Sequence, residues 1–320
     1  MNNRDCSRFV CLLFIAMSAC RATGAVPTPA PKADYHQHLV SAAFAPIAKL
    51  PQRDGRALLA ELDAAGIHRA VVLSVAYSFA DERKQLENPD LLTRSENDWT
   101  SAQVAGSNGR LVGFCSANPL RPEALDEIAR CLTLPGMRGI KIHLGNSGVS
   151  LREPAHVARI AEAFAIAARM HVPVLLHMRA RTGIDYGPQD AHLFLDRIMS
   201  QGPSVDVVVA HFGGAGPGYP QQSDDVMAVF GDAAAQGDPR MKHIYFDVAT
   251  IVTPETTPAD AELIARRIRQ VGAGRVLYGS DLSPPGGTIR SGWELFRDKV
   301  PLTPIERRTI ANNLPPFMTP

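Results

Sequence analysis

The chain has 320 residues, 45% of them hydrophobic and 20% charged, which is globular composition with ample length for a sizeable core. A formal net charge of +1 comes without a basic or acidic block, so neither nucleic acid nor an anionic surface is indicated as a partner. No apolar run in the body of the chain reaches the length of a membrane span.

The first residues differ from the rest. Arg4 and Arg8 precede an apolar run from Phe9 to Met17, too short to span a bilayer, and small residues follow at Ser18, Ala19, Cys20 and Ala22. This shape predicts a secretory signal segment over residues 1–20. Met17-Ser18-Ala19-Cys20 also resembles the bacterial lipobox, which implies lipidation of Cys20; cleavage after Ala22 or Ala25 is the alternative. Residues 21–32 read as a Pro/Ala-rich flexible tether, and a short buried helix fits poorly in front of it. The expectation is an exported protein, either periplasmic or anchored in a bacterial envelope as a lipoprotein. Of five cysteines, three (Cys6, Cys11, Cys20) lie in this leader. Cys115 and Cys131 are too few for a disulfide framework and read as small buried hydrophobes without a redox role.

From residue 33 to 320 the chain reads as one domain. A first strand covers Asp34-Tyr35-His36-Gln37-His38-Leu39. Residues 55–66 form a short amphipathic helix closed by Gly66. A β-branched run over 68–75 predicts a second strand, residues 88–107 a helix, 111–118 a third strand and 122–132 a helix. A fourth strand covers 137–144, and the Ala-rich helix 154–170 carries the clearest apolar stripe. Strands at 172–177, 205–211, 243–249 and 275–281 alternate with helices at 189–199, 224–235, 258–271 and 303–313. Strands that are apolar almost throughout are buried on both faces, and strict strand–helix alternation implies a parallel sheet. Eight such units favour an α/β fold of the (β/α)8 TIM-barrel type over the alternative, an open doubly wound sheet. No glycine fingerprint for a dinucleotide follows the first strand.

In a barrel of this kind the chemistry sits at the C-terminal strand ends. There the chain places His36 and His38, two apart and so on one face of a regular strand. Lys141 and His143 end the fourth strand, His177 the fifth, His211 the sixth, while Asp247 lies on the seventh and Asp281 ends the eighth. Each has an ordinary explanation alone: a core histidine bonded to a carbonyl, a barrel ion pair, a capping carboxylate. Together they sort to one rim, whereas His68, His156, His171, His192 and His243 fall at strand starts or on helices. Convergence of that kind is what a metal ion requires.

With DYHQH, GIKIH, VLLH, VAHFGG and YGSD, residues 34–317 resemble the amidohydrolase superfamily. More narrowly, they resemble its amidohydrolase-related (type 2) family of TIM-barrel hydrolases and decarboxylases. The resemblance implies metal ligation by His36, His38, His177 and Asp281, with His211 as general acid/base or polarising group. In some branches the fourth-strand lysine is carboxylated and bridges two ions, which would make Lys141, His143 and His211 second-metal groups. The type 2 pattern favours one ion, with Lys141 and His143 lining the site.

The implied cofactor is one divalent first-row ion, zinc by its N/O donors, which acidifies bound water. Asp281 then moves the proton, while Arg179 and Arg181 could fork a substrate carboxylate, with Asp247 also facing the substrate. The loop 213–220 (GGAGPGYP) lies over the mouth in this reading. The expected activity is hydrolysis of a small amide, lactone or related ester. The alternatives are a nonoxidative metal-dependent decarboxylase of a small carboxylic acid, and a non-enzymatic envelope binding protein, which would have lost ligands. The partner is a small-molecule substrate; nothing sets the oligomeric state, and a homodimer is compatible with the chain.

Overall fold

The computed structural model describes residues 29–179, 186–200, 204–281 and 287–318. The signal segment, Cys20 and most of the tether lie outside them, as does Arg181. Among the described residues no helix is long and apolar enough to cross a membrane.

The strands are β1 Ala33–Gln37, β2 Arg69–Leu73, β3 Leu111–Ser116, β4 Met137–His143, β5 Val174–His177, β6 Val207–Val209, β7 Ile244–Asp247 and β8 Val276–Leu277. All neighbours pair in parallel, in the order β1 to β8. Two backbone bonds bring the last strand back to the first: the Tyr35 amide donates to the Tyr278 carbonyl at 2.8 Å, and the Asp281 amide to the His36 carbonyl at 2.7 Å. Sequential order with this closure is a (β/α)8 barrel and excludes the open doubly wound sheet, whose strand order must reverse.

The helices are α1 Ala45–Ala48, α2 Gly55–Ala65, α3 Pro89–Ala105, α4 Ala124–Cys131, α5 Pro154–Met170, α6 Pro188–Leu193, α7 Gln221–Ala235, α8 Pro258–Val271, α9 Ile289–Lys299 and α10 Pro304–Asn312. Helix α6 runs on into a π-helical segment, Phe194–Met199. Helices α5 and α8 fall where the sequence predicts. Helix α8 starts on a reciprocal cap in which Thr257 accepts from the Asp260 amide.

Helix α9 corrects the sequence reading, which passed from the eighth strand directly to a closing helix at 303–313. Ile289, Trp293, Phe296 and Val300 are all buried, a stripe at helical spacing that the preceding PPGG and the internal Gly292 obscure. The second correction is covalent. Cys115 and Cys131 form a disulfide with Cα atoms 5.9 Å apart, because α4 packs its buried face, Ile128 and Cys131, back over β3. The two are fully buried, as read, and bonded rather than free.

The core has two layers. A large cluster fills the space between strands and helices. A smaller one fills the barrel's N-terminal half, where Tyr35, Leu73, Phe114, Leu175, Val208 and Leu277 meet. Phe317 seals that end, edge-on to Tyr35 and Tyr245 at 6.4 and 5.9 Å. With that half closed by hydrocarbon, polar groups have only the opposite rim.

Candidate metal centre

Interior side chains climb the strands two residues at a time, which takes β4 to Lys141 and His143, β5 from Leu175 to His177, and β8 from Leu277 past Gly279 to Asp281. Two strands break this rule. In β1, Ala33 and Tyr35 join the inner apolar cluster, so regular alternation would turn His36 and His38 outward. A register shift between Asp34 and Gln37 reverses the phase and brings both imidazoles to the rim. In β6, Val208 and Ala210 face inward, and the ladder stops at Val209. His211 and Phe212 then adopt φ of 51° and 49°, left-handed values that swing the His211 ring back over the opening. Asp281, four residues beyond the end of β8, also has a left-handed φ, 60°. Left-handed backbone at non-glycine residues costs energy and clusters at functional sites. At His211 and Phe212 it also explains why β6 stops short of the end that the sequence predicts.

The imidazoles meet in one cluster. Ring centroids lie 5.3 Å apart for His36 and His38, 4.6 Å for His36 and His211, 4.8 Å for His177 and His211, and 3.9 Å for the stacked His143 and His177. A cavity of about 300 Å³ opens on them, lined also by Lys141 and Asp281.

Hydrogen bonds fix which nitrogen of each ring is free. His36 Nδ1 donates to Asp247 Oδ2 at 2.9 Å, His38 Nδ1 to the Leu73 carbonyl at 2.8 Å and His211 Nδ1 to the Ala249 carbonyl at 2.9 Å. An acceptor at Nδ1 puts the proton there and leaves a lone pair on Nε2. The Nε2 atoms of His38 and His211 face Asp281 at 3.7 and 4.0 Å, beyond hydrogen-bond distance. Such gaps suit a cation between the groups, since metal–ligand bonds of about 2.0–2.2 Å hold two ligand atoms up to roughly 4 Å apart. Ligand atoms of His36, His38 and Asp281 all lie within 4.8 Å of one another, as do those of His36, His211 and Asp247. His177 completes neither group, but its buried Nε2 has no hydrogen-bond partner. This set of imidazoles and carboxylate, with an unpartnered imidazole nitrogen beside it, fits a divalent first-row ion.

Burial holds His36 and His177 well below the ordinary imidazole range and pushes His38 down to about 4, so these rings are neutral and able to ligate. Lys141 is fully buried, its Nζ has no hydrogen-bond partner, and burial pushes it down to about 8.

Two sequence expectations change here. Asp247 does not face substrate: it is completely enclosed and accepts from His36 Nδ1 and from the His211 and Ala249 amides at 2.9 and 3.1 Å. Arg179 is not among the residues that line the cavity and is held by other partners: its Nη2 donates to Gln222 at 2.6 Å, and its guanidinium lies over the Tyr186 ring at 5.9 Å. The loop 213–220 does reach the site, with Ala215 on the cavity wall. A Cβ at Gly216 would stand 2.2 Å from Thr250 Oγ1 and 3.0 Å from His211 Nδ1, and its φ is 50°, so only glycine lets this loop lie on the histidine.

The sequence reading missed the segment after β2. Tyr77, Arg83 and Lys84 line the cavity, Arg83 in a two-point pair with Asp81. The ERK triplet at 82–84 has no strand or helix periodicity to announce it. It also missed the support under β1. Asp34 accepts from the Gln37 side chain, from Ser280 Oγ at 2.6 Å and from the His36 amide at 3.1 Å, and burial pushes its carboxyl up to about 6.

Residues 33–313 match the family model described as Amidohydrolase, and the chain belongs to that family. No curated protein matches it. Among solved structures, a probable 2-pyrone-4,6-dicarboxylic acid hydrolase from Acinetobacter baumannii with citric acid bound is 16% identical. Its TM-score is 0.57, covering 88% of this chain and 96% of that one. A 5-carboxyvanillate decarboxylase from Novosphingobium aromaticivorans, complexed with manganese and a nitrobenzoic acid, is 15% identical at TM-score 0.57, covering 89% and 95%. An amidohydrolase from Burkholderia multivorans with bound zinc is 15% identical at TM-score 0.52, covering 88% and 96%. At these identities the likeness is one of fold.

Proposed function

We propose that the chain is a metal-dependent hydrolase acting on a small carbonyl substrate, an amide, lactone or related ester. The observation that carries this reading is the set of three imidazoles with Nδ1 tied to acceptors and Nε2 left as a lone pair beside Asp281. His36, His38 and Asp281 hold the cation, with His177 Nε2 as the further donor. A divalent ion there supplies a Lewis acid for a carbonyl oxygen and makes water more acidic. His211 Nε2, which carries no proton in the neutral ring, accepts the proton of the attacking water and returns it to the leaving group. Asp281, 4.0 Å away, stabilises the imidazolium formed in between.

A decarboxylase is the second reading, supported by the cations on the cavity wall, Arg83, Lys84 and Lys141, and by the decarboxylase among the structural neighbours. The intact donor set speaks against a non-enzymatic binding protein. Export, either to the periplasm or as a lipoprotein through Cys20, is part of the proposal. The leader composition supports it, and so does the Cys115–Cys131 disulfide, since such bonds persist in oxidising compartments.

Zinc-loaded protein incubated with lactones, amides and aromatic acids separates the readings. Hydrolysis predicts acid release from a lactone or amide, abolished in Asp281→Asn. Bicarbonate release from an aromatic acid with no hydrolysis would favour the decarboxylase, and no turnover of any of these would contradict both.

A further inference from the structure

We propose that His143 is a fixed hydrogen-bond donor to a carbonyl or carboxylate oxygen of the substrate, and not a metal ligand. The proposal rests on the metal-site reading above and adds a residue that recognises the substrate.

The other three tied imidazoles donate from Nδ1. His143 is wired the opposite way: the backbone amide of Asn146 donates to its Nδ1 at 3.1 Å. A backbone N–H needs a lone pair to point at, so Nδ1 carries no proton and the neutral ring carries it on Nε2. Binding a cation through Nε2 would require that proton to leave, and Nδ1 could not take it without losing the Asn146 bond. Donation is the only polar interaction the Nε2 edge can make while that bond stands.

Its surroundings hold the ring in place. His143 ends β4, stacks on His177 at 15° between ring planes and has Tyr77 at 5.0 Å between centroids on its other neighbour. Lys141, two residues earlier on the same strand, lines the same cavity and would repel an imidazolium. With Nδ1 turned to the chain, the Nε2–H edge is what His143 offers the cavity. A small acyl compound held by a cation on one side would find there a donor for its other oxygen. Preorganised donors of this type discriminate sharply, because an analogue without the oxygen leaves a buried N–H unpaired.

The test uses the full chain with imidazole nitrogens labelled with ¹⁵N. Two-bond ¹H–¹⁵N correlations of His143 report which nitrogen is protonated, with zinc and without. Expected are a protonated Nε2, an unprotonated Nδ1 and a shift of the Nε2 signal on adding sodium acetate as a carboxylate probe. His143→Gln, whose amide can reach the Nε2 position, should keep wild-type zinc content and acetate binding. His143→Ala should keep the zinc and bind acetate about ten-fold more weakly or worse. A proton on Nδ1, an Nε2 signal indifferent to acetate, or zinc lost from both variants would overturn the proposal. Wild-type protein that takes up no zinc would instead sink the metal-site reading, with the His143 tautomer still readable.

Discussion

Asp247 shows how one side chain arranges a site it does not enter. One carboxylate oxygen takes the proton of His36 Nδ1, and the other takes the His211 and Ala249 amides. It thereby fixes the tautomer of His36 and the backbone from which the His211 ring hangs. Burial pushes its carboxyl up, and the donated hydrogen bonds oppose that shift. Replacing it by Asn keeps the size but puts an amide where an acceptor is needed. Asp247→Asn is expected to weaken zinc binding by about 10–100-fold, the usual range for the group behind a ligating histidine, while circular dichroism stays native. Unchanged zinc affinity by competition with a chelator would show that the carboxylate merely fills space. The residue types were legible in the sequence, since histidines and aspartates stood out against apolar strands. Their roles were not. Asp247 looked like a substrate contact because the sequence shows a polar residue near a strand end without showing that His36, 211 positions away, claims it.

At the scale of elements, the β4, β5 and β8 ends were readable because their interior residues keep the two-residue period up to the rim. The β1 and β6 ends reached the right place by routes the period does not contain: a register shift in one, left-handed backbone at His211 and Phe212 in the other. Helix α9 was hidden behind PPGG, and the β3–α4 disulfide behind a cysteine count too low to suggest one. That bond joins residues 16 apart, and closing a loop of this length stabilises a fold by about 3 kcal/mol in the chain-entropy model. The Cys115→Ala, Cys131→Ala double variant should lose stability of that order in urea denaturation. It should keep wild-type zinc content, because the pair lies in the layer between β3 and α4 and lines none of the cavity. Wild-type stability would mean that the thiols are reduced in the protein as purified.

The whole molecule separates its two tasks along the barrel axis. Hydrocarbon and Phe317 close one end and carry the packing, while the other end collects imidazoles and carboxylates drawn from β1, β4, β5, β6, β7 and β8. Closure makes this possible: the Tyr35–Tyr278 and His36–Asp281 backbone bonds bring together chain segments some 240 residues apart, which an open sheet would leave at opposite edges. The most direct measurement is the divalent-metal content of purified full-length chain by elemental mass spectrometry, before and after loading with zinc or manganese. About one tightly held ion per chain is expected, largely lost in His38→Ala and retained in His143→Gln. A chain that takes up neither metal, or a His38→Ala variant as fully loaded as wild type, would contradict it.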